Sequence, residues 1–171
     1  MTKVIDRVKK RMKYYAQKQD GWCLYACAHM LLEFNGIKDF NQKRLHKIHA
    51  GGSKKDIATF ISEVNQLLGN RIEYNRNLNL RDDDIKNHIN NENPVCVNLY
   101  LKLGDPMGHS HIIYGYDDNK QIFYIIDPQP KNVTGKGKYY EMSYNDFSRG
   151  FDGNRQPHVG KEIFIVSKLV Q

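Results

Sequence analysis

Apolar positions change their spacing at about residue 93, and the change divides the chain into two kinds of structure. Residues 22–35 carry Trp22, Leu24, Tyr25, Ala26, Met30, Leu31, Leu32 and Phe34, apolar on every side, and stop at Asn35-Gly36. That pattern predicts a buried central helix with a glycine exit. Ile57, Phe60, Ile61, Val64 and Leu67 recur at helical spacing, which predicts a second helix entered at Ser53 as N-cap and left at Gly69. A shorter helix is predicted over 82–90, with acidic residues in the first turn where the helix dipole favours them. From Pro94 onward the apolar residues run together or alternate, predicting strands over 95–101, 112–116, 121–126, 138–142 and 162–169. Asp117-Asp118-Asn119-Lys120 reads as a hairpin loop, and 128–136 and 149–160, rich in Gly, Pro and Asn, as exposed loops. The fold class that follows is α+β, a helical lobe (about 15–92) followed by an antiparallel β lobe (about 93–171).

Composition narrows this picture. The chain has 171 residues, 40% hydrophobic and 26% charged, a globular balance that suits one domain or two lobes sharing a cleft. No stretch approaches the roughly 20 consecutive apolar residues of a membrane helix. Of the net charge of +7, all but one unit sits in residues 1–19, where seven basic residues face Asp6 alone. Residues 1–14 are therefore expected as a basic arm ahead of a single domain over 15–171. With no basic stripe interleaved with aromatics, nucleic acid is not expected as a partner. The first 19 residues lack the apolar core of a secretory signal, so the expected location is cytoplasmic, or secreted or injected without a visible signal peptide. Three cysteines, Cys23, Cys27 and Cys96, are too few and odd in number for a disulfide framework, and point to a reducing compartment.

Candidate chemistry begins at Cys23. It follows the turn Asp20-Gly21 and opens the apolar helix, where unpaired backbone N–H groups and the positive dipole end favour thiolate. Those N–H groups also suit a developing oxyanion, and the amide of Gln17 or Gln19 could add a second donor. Cys27 lies one turn deeper and Cys96 within an apolar strand, so both fit buried structural thiols. A zinc site from Cys23 and Cys27 would need a second matched pair that the chain lacks. In the second half, Gly108-His109-Ser110-His111 precedes Ile112-Ile113-Tyr114-Gly115-Tyr116, and Ile125-Ile126 leads into Asp127-Pro128. Alternation puts His109 and His111 on one strand face. Counted from the hairpin loop, 109 pairs with 128 and 111 with 126, so one bulge brings Asp127 opposite either histidine. His29, His46, His49, His88 and His158 have no partner at suggestive spacing, and surface or structural roles are expected for them.

The order Gln17, Cys23, His109, Asp127 resembles papain-like cysteine peptidases. It is nearest to their compact bacterial branches: bacteriocin-leader-processing peptidase domains, staphopain-like proteases and effector proteases. The resemblance spans about residues 15–130. It implies Cys23 as nucleophile, Gln17 as oxyanion donor, Asp127 as the acid that orients the base, and His109 as that base, because Gly115 stands six residues after it. Trp22 precedes the cysteine here, whereas many members carry a tryptophan directly after it. The implied activity is thiol endopeptidase through a Cys23 thioester, on a protein or peptide substrate, with no cofactor or metal. An acyltransferase or transglutaminase-like enzyme would use the same residues with an amine in place of water. A binding module that keeps the fold fits less well, since all four positions hold chemically competent side chains.

Overall fold

The computed structural model describes residues 1–50, 57–76, 82–99, 109–129, 138–149 and 162–166. In chain order they form β1 (Thr2–Val4), α1 (Asp6–Arg11), α2 (Cys23–Phe34), α3 (Gln42–Ala50), α4 (Ile57–Leu68), β2 (Ile72–Arg76), α5 (Asp82–Asn90), β3 (Val95–Leu99), β4 (His109–Asp117), β5 (Ile122–Ile126), β6 (Tyr139–Ser143), α6 (Tyr144–Arg149) and β7 (Glu162–Val166). The strands make one antiparallel sheet in the order β2-β7-β3-β4-β5-β6, with β1 added beside β4. This is the α+β, papain-like architecture, with most helices in the first half and most strands in the second; β1 and β2 join the sheet from the expected helical lobe, and α6 lies in the expected β lobe. Among the described residues no helix is long and apolar enough to cross a membrane.

Helix α2 is the centre of the molecule. Ala26, Cys27, Leu31 and Leu32 are fully or almost fully buried, and the helix packs on β3, β4 and β7 on one side and on α3 on the other. Its last turn closes at Asn35, whose N–H bonds back to Leu31 and Leu32, and Gly36 takes φ +86, a conformation glycine adopts freely. Strand β4 is buried at all nine positions, so both of its faces are covered, and α2 packs against it. The described part of the second helix starts at Ile57, and Ser53, expected as its cap, lies outside the described residues, as do the centres of the two long loops and His158.

The basic first segment differs from the expected arm. Its charged side chains do face outward, but Ile5, Val8 and Met12 are buried, and β1 pairs with β4 from Thr2 opposite Asp117 to Val4 opposite Gly115. Lys3 pairs with the Glu92 carboxylate and Arg7 donates to the Glu92 carbonyl, which fastens the segment to the loop after α5. The close pairing of β1 with β4 explains Gly115: a Cβ there would stand 2.8 Å from Lys3 O and 3.1 Å from both Val4 Cα and the Tyr124 ring. Gly115→Ala should therefore cost about 1–3 kcal/mol of stability, the usual range for overpacking. An unchanged unfolding midpoint would show that β1 yields without resistance.

Candidate active site

Cys23 is the first residue of α2, and its backbone N–H, with those of Leu24 and Tyr25, precedes the intrahelical ladder that begins at Ala26 N–H to Trp22 O. The residue before it, Trp22, makes no side-chain cap. A serine or aspartate cap would occupy those donors; without one, they and the positive helix end act on the sulfur or on whatever stands beside it.

The sheet brings the other groups to that sulfur. Strand β5 is laddered to β4 only as far as Ile112 opposite Ile126, so Ser110 N–H has no strand partner on that edge. It donates instead to Cys23 Sγ at 3.4 Å. One residue earlier, His109 bonds through Nε2 to Asp127 Oδ1 at 2.8 Å, and its ring also hydrogen-bonds the Cys23 thiol. Since Nε2 is engaged by the carboxylate, Nδ1 is the nitrogen left for the sulfur. Asp127, with no exposed surface, is held in turn: Gln129 N–H donates to Oδ1 at 2.8 Å, the Tyr140 hydroxyl to Oδ2 at 3.4 Å, and the Tyr14 hydroxyl to its carbonyl at 2.7 Å. The His109–Asp127 bond and the Ser110 N–H contact to Cys23 thus meet at the end of the sheet, with only 9% of Cys23 and 2% of His109 exposed.

Charge follows the geometry. Burial by itself pushes the Cys23 thiol up, but the hydrogen bond and positive charge of His109 and the Ser110 N–H together bring it below its ordinary value. Burial pulls His109 down, yet Asp127 and Cys23 outweigh it and raise the imidazole to about 9. Both shifts act in the direction that favours a thiolate beside an imidazolium. His111, fully buried on the same strand face, is driven the other way, first by burial and then by the charge on His109, and stays neutral. Cys27 is raised well above the usual thiol range by burial and by a hydrogen bond with Cys96. Among the described residues no group of histidines, cysteines and acids could hold a metal ion.

The loop expected over Asp117–Lys120 is instead a turn over 118–121, since Asp117 still belongs to β4 and stands opposite Ile122, which moves the register two residues from the expected one. A bulge at Tyr114, between Ile113 opposite Ile125 and Gly115 opposite Tyr124, takes one of the two back, so the register is off by one at the site end. Continued outward it sets His111, not His109, level with Asp127. The carboxylate nevertheless takes the His109 ring, because Asp127 lies past the end of β5 and cross-strand diagonal neighbours are within side-chain reach. Gln17 is held at the same edge, its N–H on Pro128 O at 2.9 Å. Its side-chain Nε2 donates to Gln19 O at 3.1 Å, which uses one of its two amide hydrogens. Gln19 is exposed and lines a different cleft with Trp22 and His46.

What sequence reasoning missed is a glutamine. Gln42, at the start of α3 and 1% exposed, accepts from Lys18 N–H at 3.0 Å and donates to Ala16 O at 2.9 Å. Its one amide brackets Gln17 on both sides. No local pattern marks such a residue; only its complete burial as a polar side chain does.

The family model described as Peptidase_C39 like family matches residues 9–152. The peptidase domain of Streptococcus ComA, a bi-functional ABC transporter of a quorum-sensing pathway, is similar in fold, with TM-score 0.61, 19% identity, 92% of this chain and 100% of that one covered. Xylellain, a cysteine protease from Xylella fastidiosa, gives TM-score 0.63 at 14% identity over 98% of this chain and 86% of its own. A double-glycine-motif protease from an AMS/PCAT transporter, solved with its leader peptide, gives 0.55 at 16% identity over 91% of each chain. No curated protein sequence matches the chain.

Proposed function

The chain belongs to the Peptidase_C39 like family, a family of cysteine peptidases with a papain-like fold, and from that premise we propose that it hydrolyses a peptide bond through a thioester on Cys23, with His109, Asp127 and Gln17 as its partners. One observation supports this most directly: the His109 ring lies between the Cys23 thiol and the Asp127 carboxylate, hydrogen-bonded to both. The thiolate adds to the scissile carbonyl carbon. The oxygen takes the negative charge and faces the Cys23 N–H and the second amide hydrogen of Gln17. As the tetrahedral adduct collapses, the C–N bond breaks and His109 Nδ1 gives its proton to the leaving nitrogen, leaving a thioester and a neutral imidazole. Water then gives a proton back to His109 as it attacks the thioester, and the acid leaves with the thiolate restored. Asp127 keeps the Nε2 proton in place, so that Nδ1 is always the nitrogen that faces the reaction.

The pH dependence tests this pair. Turnover should rise as pH climbs through the depressed Cys23 pKa, where the ion pair forms. It should fall again as pH rises through about 9, where His109 loses the proton that the leaving amine needs. Alkylation of Cys23 by iodoacetamide needs only the thiolate, so it should show the acid limb without the fall at high pH. A Cys23 that alkylates no faster at pH 7 than an ordinary thiol would refute the ion pair.

Gln17 is the second test. Gln17→Ala should lower kcat by roughly 10- to 1,000-fold with little change in KM, because an oxyanion donor binds the transition state more than the substrate. Gln19→Ala should do much less to kcat, and a larger effect there would move the role to Gln19.

A further inference from the structure

The turn that carries Gln17 and the first turns of α3 enclose a groove of about 460 Å³, lined by Lys18, Gln19, Trp22, Lys43 and His46. That size falls within the roughly 300–1,000 Å³ of ligand pockets. Its aromatic wall is fixed: the Trp22 indole stacks on His46 with centroids 4.7 Å apart and meets the Tyr25 ring edge-on at 5.8 Å. The two flanking segments are fixed to each other through the buried Gln42 amide, which ties Ala16 and Lys18 to the start of α3. The groove is thus held open by its own framework. Both Lys18 and Lys43 are exposed, and among the described residues neither is ion-paired. No acidic side chain lines it. Along the chain the lining residues Lys18, Gln19 and Trp22 are three of the five between Gln17 and Cys23, with Asp20 and Gly21 outside the lining, so the groove adjoins the reacting centre.

We propose that this groove is a substrate subsite for a peptide segment that places an apolar side chain next to a carboxylate. The apolar side chain covers the Trp22 face and the aliphatic stems of the two lysines, and the carboxylate meets their ammonium groups. The proposal rests on the peptidase reading above and adds to it a preference for acidic over basic substrate residues at one position near the cut. Two partly exposed charge pairs together amount to about tenfold in rate constant.

The test uses peptidyl epoxysuccinates, which alkylate a nucleophilic thiol, extended from the epoxide in either chain direction and made with Glu-Phe or with Lys-Phe. Second-order rate constants for labelling of Cys23 are read by peptide mapping on the full chain. In one of the two directions the Glu probe should label about tenfold faster than the Lys probe, and in K18E/K43E that ratio should invert. Because each ratio is taken within one protein, a general loss of reactivity in the variant does not affect it. Equal rates for the Glu and Lys probes in both directions would overturn the subsite, and so would a Glu preference that survives the double charge reversal. If no probe and no iodoacetamide labels Cys23 in folded protein, the peptidase reading itself fails and the subsite with it.

Discussion

Replacing Cys23 with alanine is expected to remove turnover, by about 10⁵-fold or more, while the protein still folds. Every step of the proposed reaction passes through the sulfur: it forms the bond that replaces the peptide C–N bond, and water, a far weaker nucleophile than a thiolate, does not replace it at a comparable rate. Losses of this order are typical when a nucleophile that acts as part of a unit is deleted. The structural cost is small by comparison. Cys23 sits at the first position of α2, its sulfur accepts from Ser110 N–H and feels the His109 ring, and alanine is a better helix former than cysteine. A change in unfolding free energy of about 1 kcal/mol or less is expected. The imidazole of His109 should titrate lower in the variant, because one of the two groups that raise it is gone while Asp127 remains. Product analysis by mass on the cleaved substrate, together with a thermal unfolding curve, checks both halves, and a Cys23→Ala protein that still cleaves would remove the central claim.

Much of the fold could be read from the apolar pattern, and the exceptions have a common physical cause. Helix α2 announces itself because nearly every residue in it is apolar, and β4 because both of its faces are covered. Helix α3 does not: over 42–49, among the described side chains, the buried positions are Gln42 and Leu45, too few for a periodic stripe. The amino-terminal segment was obscured by its charge. Ile5, Val8 and Met12 do recur at helical spacing, yet the seven basic residues around them suggested a solvated arm, and only the pairing of β1 with β4 shows where those apolar side chains go. At the site the chain order of thiol, imidazole and carboxylate was legible because each sits at the start or end of an element that the pattern marks. Which histidine faces Asp127 was not, since that depends on the bulge at Tyr114 and on how far β5 extends, and both are set by tertiary packing. Gln42 and the Trp22 groove were invisible for the same reason: each joins segments whose meeting no local pattern encodes.

The two histidines should separate cleanly on substitution. His109→Ala is expected to remove nearly all activity and also to raise the Cys23 pKa, because the thiolate loses the hydrogen bond and the positive charge that outweigh its burial. Alanine there also leaves the Asp127 carboxylate buried without its imidazolium, which can cost about 3–5 kcal/mol of stability. His109→Gln is therefore the companion variant, since its amide can still donate to Oδ1 while having no proton to shuttle. It should fold better than the alanine variant and be as inactive. His111→Ala should behave in the opposite sense. A fully buried, neutral imidazole on β4 is lost from the core, so stability should fall by about 1–3 kcal/mol, while Cys23 keeps its low pKa and turnover falls by no more than the unfolded fraction explains. The measurements are turnover, the pH profile of Cys23 alkylation and the unfolding midpoint in all three variants. Should His111→Ala be the one that loses the reactive thiolate with its fold intact, the base would sit two residues further along β4, at the position level with Asp127 in the backbone register.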